Sequence, residues 1–462
     1  MTRYKISHGL TAAAAVAVAL TAVACGNNLQ DRLLAVQTPD IITVTNSNSP
    51  AGAQAFYTAA VGDFYRVIGG DRGGSSPLGL NLTGGLLADE IFAARAGTET
   101  IDNRGINPNN FPIDSWTQVS NAHTRNLRAL HLLLLFPPAT GGTAQLATIH
   151  ANEGLVLTIA AEDYCNGIPL WDGKDEINIT TATMSTADLY NAAVAQYDSA
   201  LALIGTSDKT IRSIALVGKA RTLVDQAKAG ALGTNFAAAA ALVGEVATNF
   251  TYNTVFSKST AGVVNGIYDW MSATRNFGAS DKEGVNGLDF VSAKDPRVKV
   301  DGTKILRGQD GSNVPTFNQY TTTDAAVAIA TGIEARLIEA EAQLAAGNTA
   351  GFLATLNALR AAPQSYGTVT TTATSLAPLT DPGTADGRVN LLFRERAFWM
   401  YMTAHRLGDM RRLIRQYGRT AESVFPTGAY FKGGAYGTDV NLVPLQSETN
   451  NPNWSACTDR NP

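Results

Sequence analysis

The sequence predicts a mostly α-helical protein, built from antiparallel helix pairs and interrupted by long irregular, loop-rich insertions. Three observations predict it. Apolar residues recur at spacings of three and four along several long segments. Those segments come in Ala-rich pairs joined by short turns, and small residues let paired helix axes approach. Between the pairs lie stretches rich in Gly, Asn, Asp and Ser where all periodicity is lost. The 462 residues are 45% hydrophobic and 16% charged, which suits a large packed core. A formal charge of −4 supplies no field that would draw the chain to nucleic acid or anionic lipid.

The chain opens with Arg3, Lys5 and His8, followed by the apolar run Leu10–Ala24. That run is too short for a comfortable membrane span and has the length of a signal-peptide core. It ends in Ala22-Val23-Ala24-Cys25-Gly26, where small residues precede a cysteine as in a bacterial lipoprotein processing site. Residues 1–24 are therefore expected to be a lipoprotein signal peptide, with Cys25 the lipid attachment point. A plain secretory cleavage after Ala24 is the alternative. Loss of Arg3 and Lys5 with the leader takes the formal charge from −4 to −6. Two cysteines then remain, Cys165 and Cys457, and the sequence leaves open whether they pair.

Residues 25–50 read as the lipidated N-terminus and a polar tether, and residues 51–462 as the body. Ser49 and Pro50 mark a helix start for Ala51–Ile68, which Gly69-Gly70 stops. Trp116–Leu135 and Thr143–Asp163 follow. Ser185 and Asp188 form a capping-box pattern ahead of a helix that keeps Leu189, Ala193, Tyr197, Ala200 and Ile204 largely on one side. Thr206-Ser207-Asp208 turns the chain into Ile211–Ala229, and Asn235–Thr248 is a further Ala-rich helix. A later pair, Ala325–Ala346 and Ala350–Arg360, turns at Gly347-Asn348. These pairs look like tetratricopeptide-type hairpins, without a regular repeat period.

Leu391–Arg419 reads as one interior helix. Phe393, Ala397, Met400, Ala404 and Leu407 form a continuous apolar stripe, flanked by Arg and acidic residues that can ion-pair while guanidinium groups lie over aromatic faces. The basic cluster Arg411, Arg412, Arg415 and Arg419 sits toward a helix C-terminus, where cations are favoured.

The same stretch, with Glu395-Arg396, His405-Arg406, Asp409 and Arg411-Arg412, resembles the C-terminal helix of the SusD/RagB family of outer-membrane nutrient-binding lipoproteins. Other pieces agree in order: Glu334–Asn348 with Leu356–Ala362, the Asp-Pro-Arg turn within Lys294–Arg297, Cys165–Trp171, and Leu442–Asn453. Trp399 and Thr403 stand where the family often has acidic residues, and Ala404 where it has glycine. These departures point to a divergent branch. The resemblance implies a tetratricopeptide-like, SusD-like body, lipid-anchored to the cell outer membrane and facing the exterior. It further implies a partner TonB-dependent transporter (SusC-like) that receives a captured nutrient, an oligosaccharide or similar glycan.

No zinc-protease, phosphate-loop or nucleophile-elbow pattern occurs, so neither catalysis nor a cofactor is expected. His123 and His131 are too far apart on their helix to share a metal directly. Carboxylates such as Glu153, Glu162, Asp163, Asp281, Glu283 and Asp289 could serve a glycosidase only if folding set two of them at the right separation. For binding, sugar C–H faces stack on aromatic rings while hydroxyls need polar neighbours. Residues 251–320 supply both, with Trp270, Tyr268, Arg275 and Asn276 as the candidate ligand contacts and Trp270 as the stacking platform. The alternative is that these aromatics fill a secondary core. A helical scaffold lipoprotein with no small ligand, or an exported hydrolase, are the competing functions.

Overall fold

A computed structural model describes residues 48–72, 78–107, 115–173, 183–259, 263–367, 369–372, 374–444, 451 and 454. The proposed leader, Cys25, most of the tether and Cys457 lie outside the described residues. Among the described residues the eleven longer helices are α1 Pro50–Gly69, α2 Leu80–Leu87, α3 Trp116–Leu135, α4 Gly142–Asp163, α5 Thr186–Ile204, α6 Lys209–Gln226, α7 Leu232–Val243, α8 Gly332–Ala345, α9 Thr349–Ala361, α10 Ala385–Trp399 and α11 Arg406–Arg415.

The local start signals operate as read. Ser49 Oγ accepts the Gly52 N–H at 3.0 Å and Pro50 occupies the first turn of α1. Ser185 and Asp188 close a capping box on α5, and the Asp208 carboxylate takes the Thr210 and Ile211 N–H groups of α6. Along α5 the predicted face (Leu189, Ala193, Tyr197, Ala200 and Ile204) is buried. Helices α4 to α7 pack successively, and α8 with α9 repeats the arrangement on α7. At the α4–α6 contact Gly154 and Gly218 both lie under the Tyr197 ring, where a Cβ would come within 2.6 Å of it.

Three expectations need correction. Residues 328–331 are not helical: β6 (Ala328–Thr331) pairs antiparallel with β2 (Thr251–Asn253), and α8 starts only after Thr331 caps the Glu334 N–H at 3.0 Å. Short apolar runs such as Val327–Ala330 read equally as strand or helix. Helix α7 begins earlier and stops at Val243, ahead of Gly244.

The third correction concerns the Arg-rich stretch, which is two helices. Between α10 and α11 the chain passes through positive φ at Met402 (56°) and Ala404 (62°). The freed backbone groups are taken up by buried side chains: Glu90 accepts the Met402 N–H at 2.9 Å, and Asn81 and Tyr320 donate to the Met402 carbonyl. A left-handed alanine costs about 1–2 kcal/mol relative to an ordinary conformation. Ala404→Gly is therefore expected to stabilise the protein by about 0.5–1 kcal/mol after the added chain entropy, read as a higher denaturant midpoint at unchanged slope.

The insertion after β2 is not wholly irregular. It holds a π-helical turn at Asp269–Ala273, β3 (Phe277–Ala279) paired with β1 (Ile91–Ala93), and a hairpin of β4 (Val300–Arg307) with β5 (Asn313–Phe317). The hairpin register slips between Asp301 and Ile305.

From Glu395 to Arg412 most charges of α10 and α11 (Glu395, Arg396, Arg406, Asp409, Arg411 and Arg412) are buried. Arg396 grips Asp409 at 2.8 Å, Arg412 meets Glu341, Asp409 and Asp225, and Arg221 meets Glu162. Arg297 of the Asp-Pro-Arg turn reaches Glu395 at 2.8 Å while lying 4.9 Å over Trp399. Arg411 donates to the Ala161 and Glu162 carbonyls at the end of α4, and Arg415 and Gln416 donate to carbonyls at the end of α6. Arg411 and Arg415 therefore cap the C-terminal ends of two neighbouring helices, where bare carbonyls need donors, while Arg412 joins the acid network and Arg419 meets Asp386.

Candidate functional site

The irregular segments converge on a cavity of about 440 Å³. Its walls come from Phe92 on β1, the loop Ala279–Gly284 after β3, the hairpin residues Ser312, Asn313 and Pro315, and the late loop residues Ala429, Phe431 and Tyr436. Phe431 is 54% exposed, the feature that sets this cavity apart from the core. Its ring meets Phe92 edge-on at 5.3 Å and Tyr430 at 4.8 Å, and Tyr430 meets Tyr436 at 5.3 Å. Lys432 lies 5.6 Å from the Phe431 ring centre and is held by Asp310 and Glu99. Gly284 on the rim has φ 55°, and a Cβ there would stand 2.6 Å from the Thr427 carbonyl. The loop can approach that closely only with glycine.

Beneath the rings is a pair of buried carboxyls. Asp102 accepts the Tyr430 hydroxyl and the Ala93 N–H, each at 2.7 Å. Glu283 accepts the Ser280 hydroxyl at 2.6 Å and the Tyr436 hydroxyl at 3.1 Å. Burial, and then the Asp102 carboxyl beside it, push Glu283 well above the usual carboxylate range. Burial likewise raises Asp102, which hydrogen-bonds Glu283. Two adjacent anions there would repel without water to screen them, which favours protonation within the pair. Glu283 is thus engaged in holding Tyr436 and Ser280, which is a positioning duty.

The sequence-nominated residues fare differently. Trp270 is 0% exposed: it stacks on Phe277 at 5.3 Å, lies under Arg95, and donates its indole N–H to the Asp71 carbonyl at 3.1 Å. The ring has no solvent-facing side, so it is a core residue and not a stacking platform. Asn276 is buried too, with its backbone bonded to Ala94 and to Trp270. Tyr268 is half-buried against the core, and Arg275 donates to the Arg307 carbonyl at 3.0 Å. None of the four lines the cavity. Within 251–320 the cavity uses instead residues 279–284 with Ser312, Asn313 and Pro315. Sequence reasoning does not single out Phe431 and Tyr436, although the dense aromatic and glycine content of Gly428–Gly437 is a usable signal.

Other acidic and histidine candidates are tied into structure. His123 bridges Glu153 and the Trp171 carbonyl, each at 2.6 Å, and Glu153 holds it above its ordinary pKa despite burial. Asp289 pairs with Arg394 at 2.7 Å. Among the described residues no cluster of three or more His, Cys, Asp or Glu could hold a metal, and no helix is long and apolar enough to cross a membrane.

A scan against protein-family models finds no match, and no curated protein matches the chain. Solved structures do match. NanU of B. fragilis aligns at TM-score 0.63 and 14% identity, over 90% of this chain and 99% of that one. A SusD-like carbohydrate-binding protein from Bacteroides fragilis aligns at TM-score 0.63 and 16% identity, over 88% and 99%. Surface glycan-binding protein A from Bacteroides uniformis aligns at TM-score 0.59 and 14% identity, over 87% and 99%. Coverage of 87–90% of this chain and 99% of each of these structures gives this chain the SusD-like fold.

Proposed function

We propose that the protein binds glycan at the Phe431 cavity and is not an enzyme. The observation that carries this reading is an exposed ring over a concave surface lined by the hydroxyls of Ser280 and Tyr436 and by the polar side chains of Asp281 and Asn313. A sugar offers an apolar face to the ring and hydroxyls to Ser280, Asp281 and Asn313. Proteins of the same fold that carry carbohydrate-binding or glycan-binding names support the ligand class. In affinity electrophoresis against a panel of soluble polysaccharides, at least one polymer should retard the purified protein. Phe431→Ala should weaken that binding about tenfold or more at unchanged thermal stability, since an exposed ring contributes little to the core. Retention by no polymer, or undiminished retention of the variant, would count against the site.

The wider reading places the protein on the cell outer membrane, anchored through lipid on Cys25, where it hands glycan to a TonB-dependent transporter of the SusC-like kind. Cys165 is disulfide-bonded, which suits an exported chain. Full-length protein recovered from membranes should carry labelled palmitate and bring down a large β-barrel protein. Cys25→Ser should lose the label and leave the membrane fraction. Label retained on that variant would remove the anchor from the proposal.

A further inference from the structure

A second cavity, of about 760 Å³, adjoins the first. Both are lined by Asp281, and both are walled by the β4–β5 hairpin. Ser312, Asn313 and Pro315 border the first cavity; Val300–Thr303 and Asn318 border the second. Asp281 is fixed at the junction, because its Oδ1 accepts the Val291 N–H at 3.0 Å and the Ser292 N–H at 2.7 Å. Those two bonds hold the 291–292 segment as the opposite wall of the second cavity.

The hairpin irregularity belongs to this cavity. Its register slips where Gly302, Thr303 and Lys304 lie between the paired Asp301 and Ile305. Asp301 pins the slip by accepting the Thr303 N–H at 2.9 Å and its hydroxyl at 2.6 Å. A Cβ on Gly302 would come within 2.6 Å of the Val291 side chain across the gap. A bulge that moves one wall, with glycine at the closest approach, keeps the second cavity open beside the first.

The two cavities differ in chemistry. The first presents Phe92, Phe431 and Tyr436. The second presents no aromatic ring among its lining residues and instead offers Asp281, Ser292, Lys294, Lys299, Asp301 and Asn318. From Asn313 or Pro315 to Asn318 the strand advances about 10–17 Å, the reach of roughly two or three linked sugar rings. Each volume falls within the range of small-ligand sites.

We infer that the two cavities are consecutive subsites of one cleft, so that the protein selects extended oligosaccharides: one stretch stacks on Phe431 and the next is read through its hydroxyls between Asp281 and the bulged hairpin. This inference rests on the glycan reading above and adds chain length to it. Linked subsites raise the affinity for a ligand that spans both, because the second contact is made at high local concentration.

Isothermal titration with defined malto-, cello-, xylo- and manno-oligosaccharides, disaccharide to hexasaccharide, tests it. In the series that binds, affinity should climb about tenfold or more from disaccharide to hexasaccharide and then level off. Ser292→Trp, which plugs the second cavity from an exposed position, should bring the hexasaccharide down to the affinity of the disaccharide. Asn318→Trp, on the facing wall, should do the same should the first variant fold poorly. Equal affinity for every length, or a hexasaccharide bound as tightly by both plugged variants as by the parent, would overturn the cleft and leave glycan binding standing. Binding of no oligosaccharide in any series would overturn both.

Discussion

Arg412→Met is expected to destabilise the protein by about 3–5 kcal/mol, the cost of removing one partner from a buried charge network. The Arg412 side chain is 2% exposed and touches Glu341, Asp409 at 3.1 Å and Asp225 at 3.3 Å, with Gln416 at 3.1 Å and the Phe393 ring at 5.3 Å. Without it, three acids from α6, α8 and α11 face one another in a medium that cannot solvate them. Arg396, which holds Asp409 at 2.8 Å, lies 3.9 Å from Glu341 and cannot replace the lost contact. The loss should appear as a large fall in the guanidinium midpoint. Adding Glu341→Gln should restore part of it, because the acid most dependent on Arg412 is then neutral. By contrast Arg388→Ala, which breaks the half-exposed pair with Asp381, should leave the midpoint nearly unchanged. An Arg412→Met protein within about 1 kcal/mol of the parent would show that the network is not what joins these helices.

That network also explains what the sequence could and could not reveal. Ser49, Ser185 and Asp208 disclosed their helix starts because a cap and the N–H it satisfies lie within three residues of each other. The helix break at Met400–His405 contains neither glycine nor proline, and it is enforced by Glu90, Asn81 and Tyr320, which arrive from far along the chain. Only the glycine of the family pattern at Ala404 hinted at it. Trp270 is the same problem at the site. Its composition neighbourhood suited a sugar platform, but the ring is buried, with Arg95 over it and its indole N–H on the Asp71 carbonyl, both well over a hundred residues away. Aromatic content reports that rings are present, and long-range packing decides which of them, here Phe431, is left facing water.

The second large effect expected is a loss of stability on the alkaline side. Burial pushes Glu90 up to about 8, against the Met402 N–H and Arg406, which draw it back. Burial also lifts Asp163 up to about 7, against Arg411 and Arg221. Both carboxyls are raised above their unfolded values. Their contribution is therefore complete below about pH 4 and is lost as pH climbs through 7 and 8, where the folded chain must ionise them in place. Asp409 and Glu334 run the other way: despite burial, Arg396 and Arg412 hold Asp409 low, and His405 holds Glu334 low, so their contribution is lost only in acid. The two sets place the stability maximum on the acid side of neutrality. Between pH 5 and 9 the unfolding free energy should fall by roughly 1–2 kcal/mol per pH unit for each group still titrating. Glu90→Gln keeps an acceptor for the Met402 N–H but cannot ionise, so its profile should be flatter than the parent's while the Asp163 portion of the slope persists. A parent protein equally stable at pH 5 and pH 9 would mean that these carboxyls reach water in the native state, and that the α10–α11 junction held by Glu90 is looser than its hydrogen bonds imply.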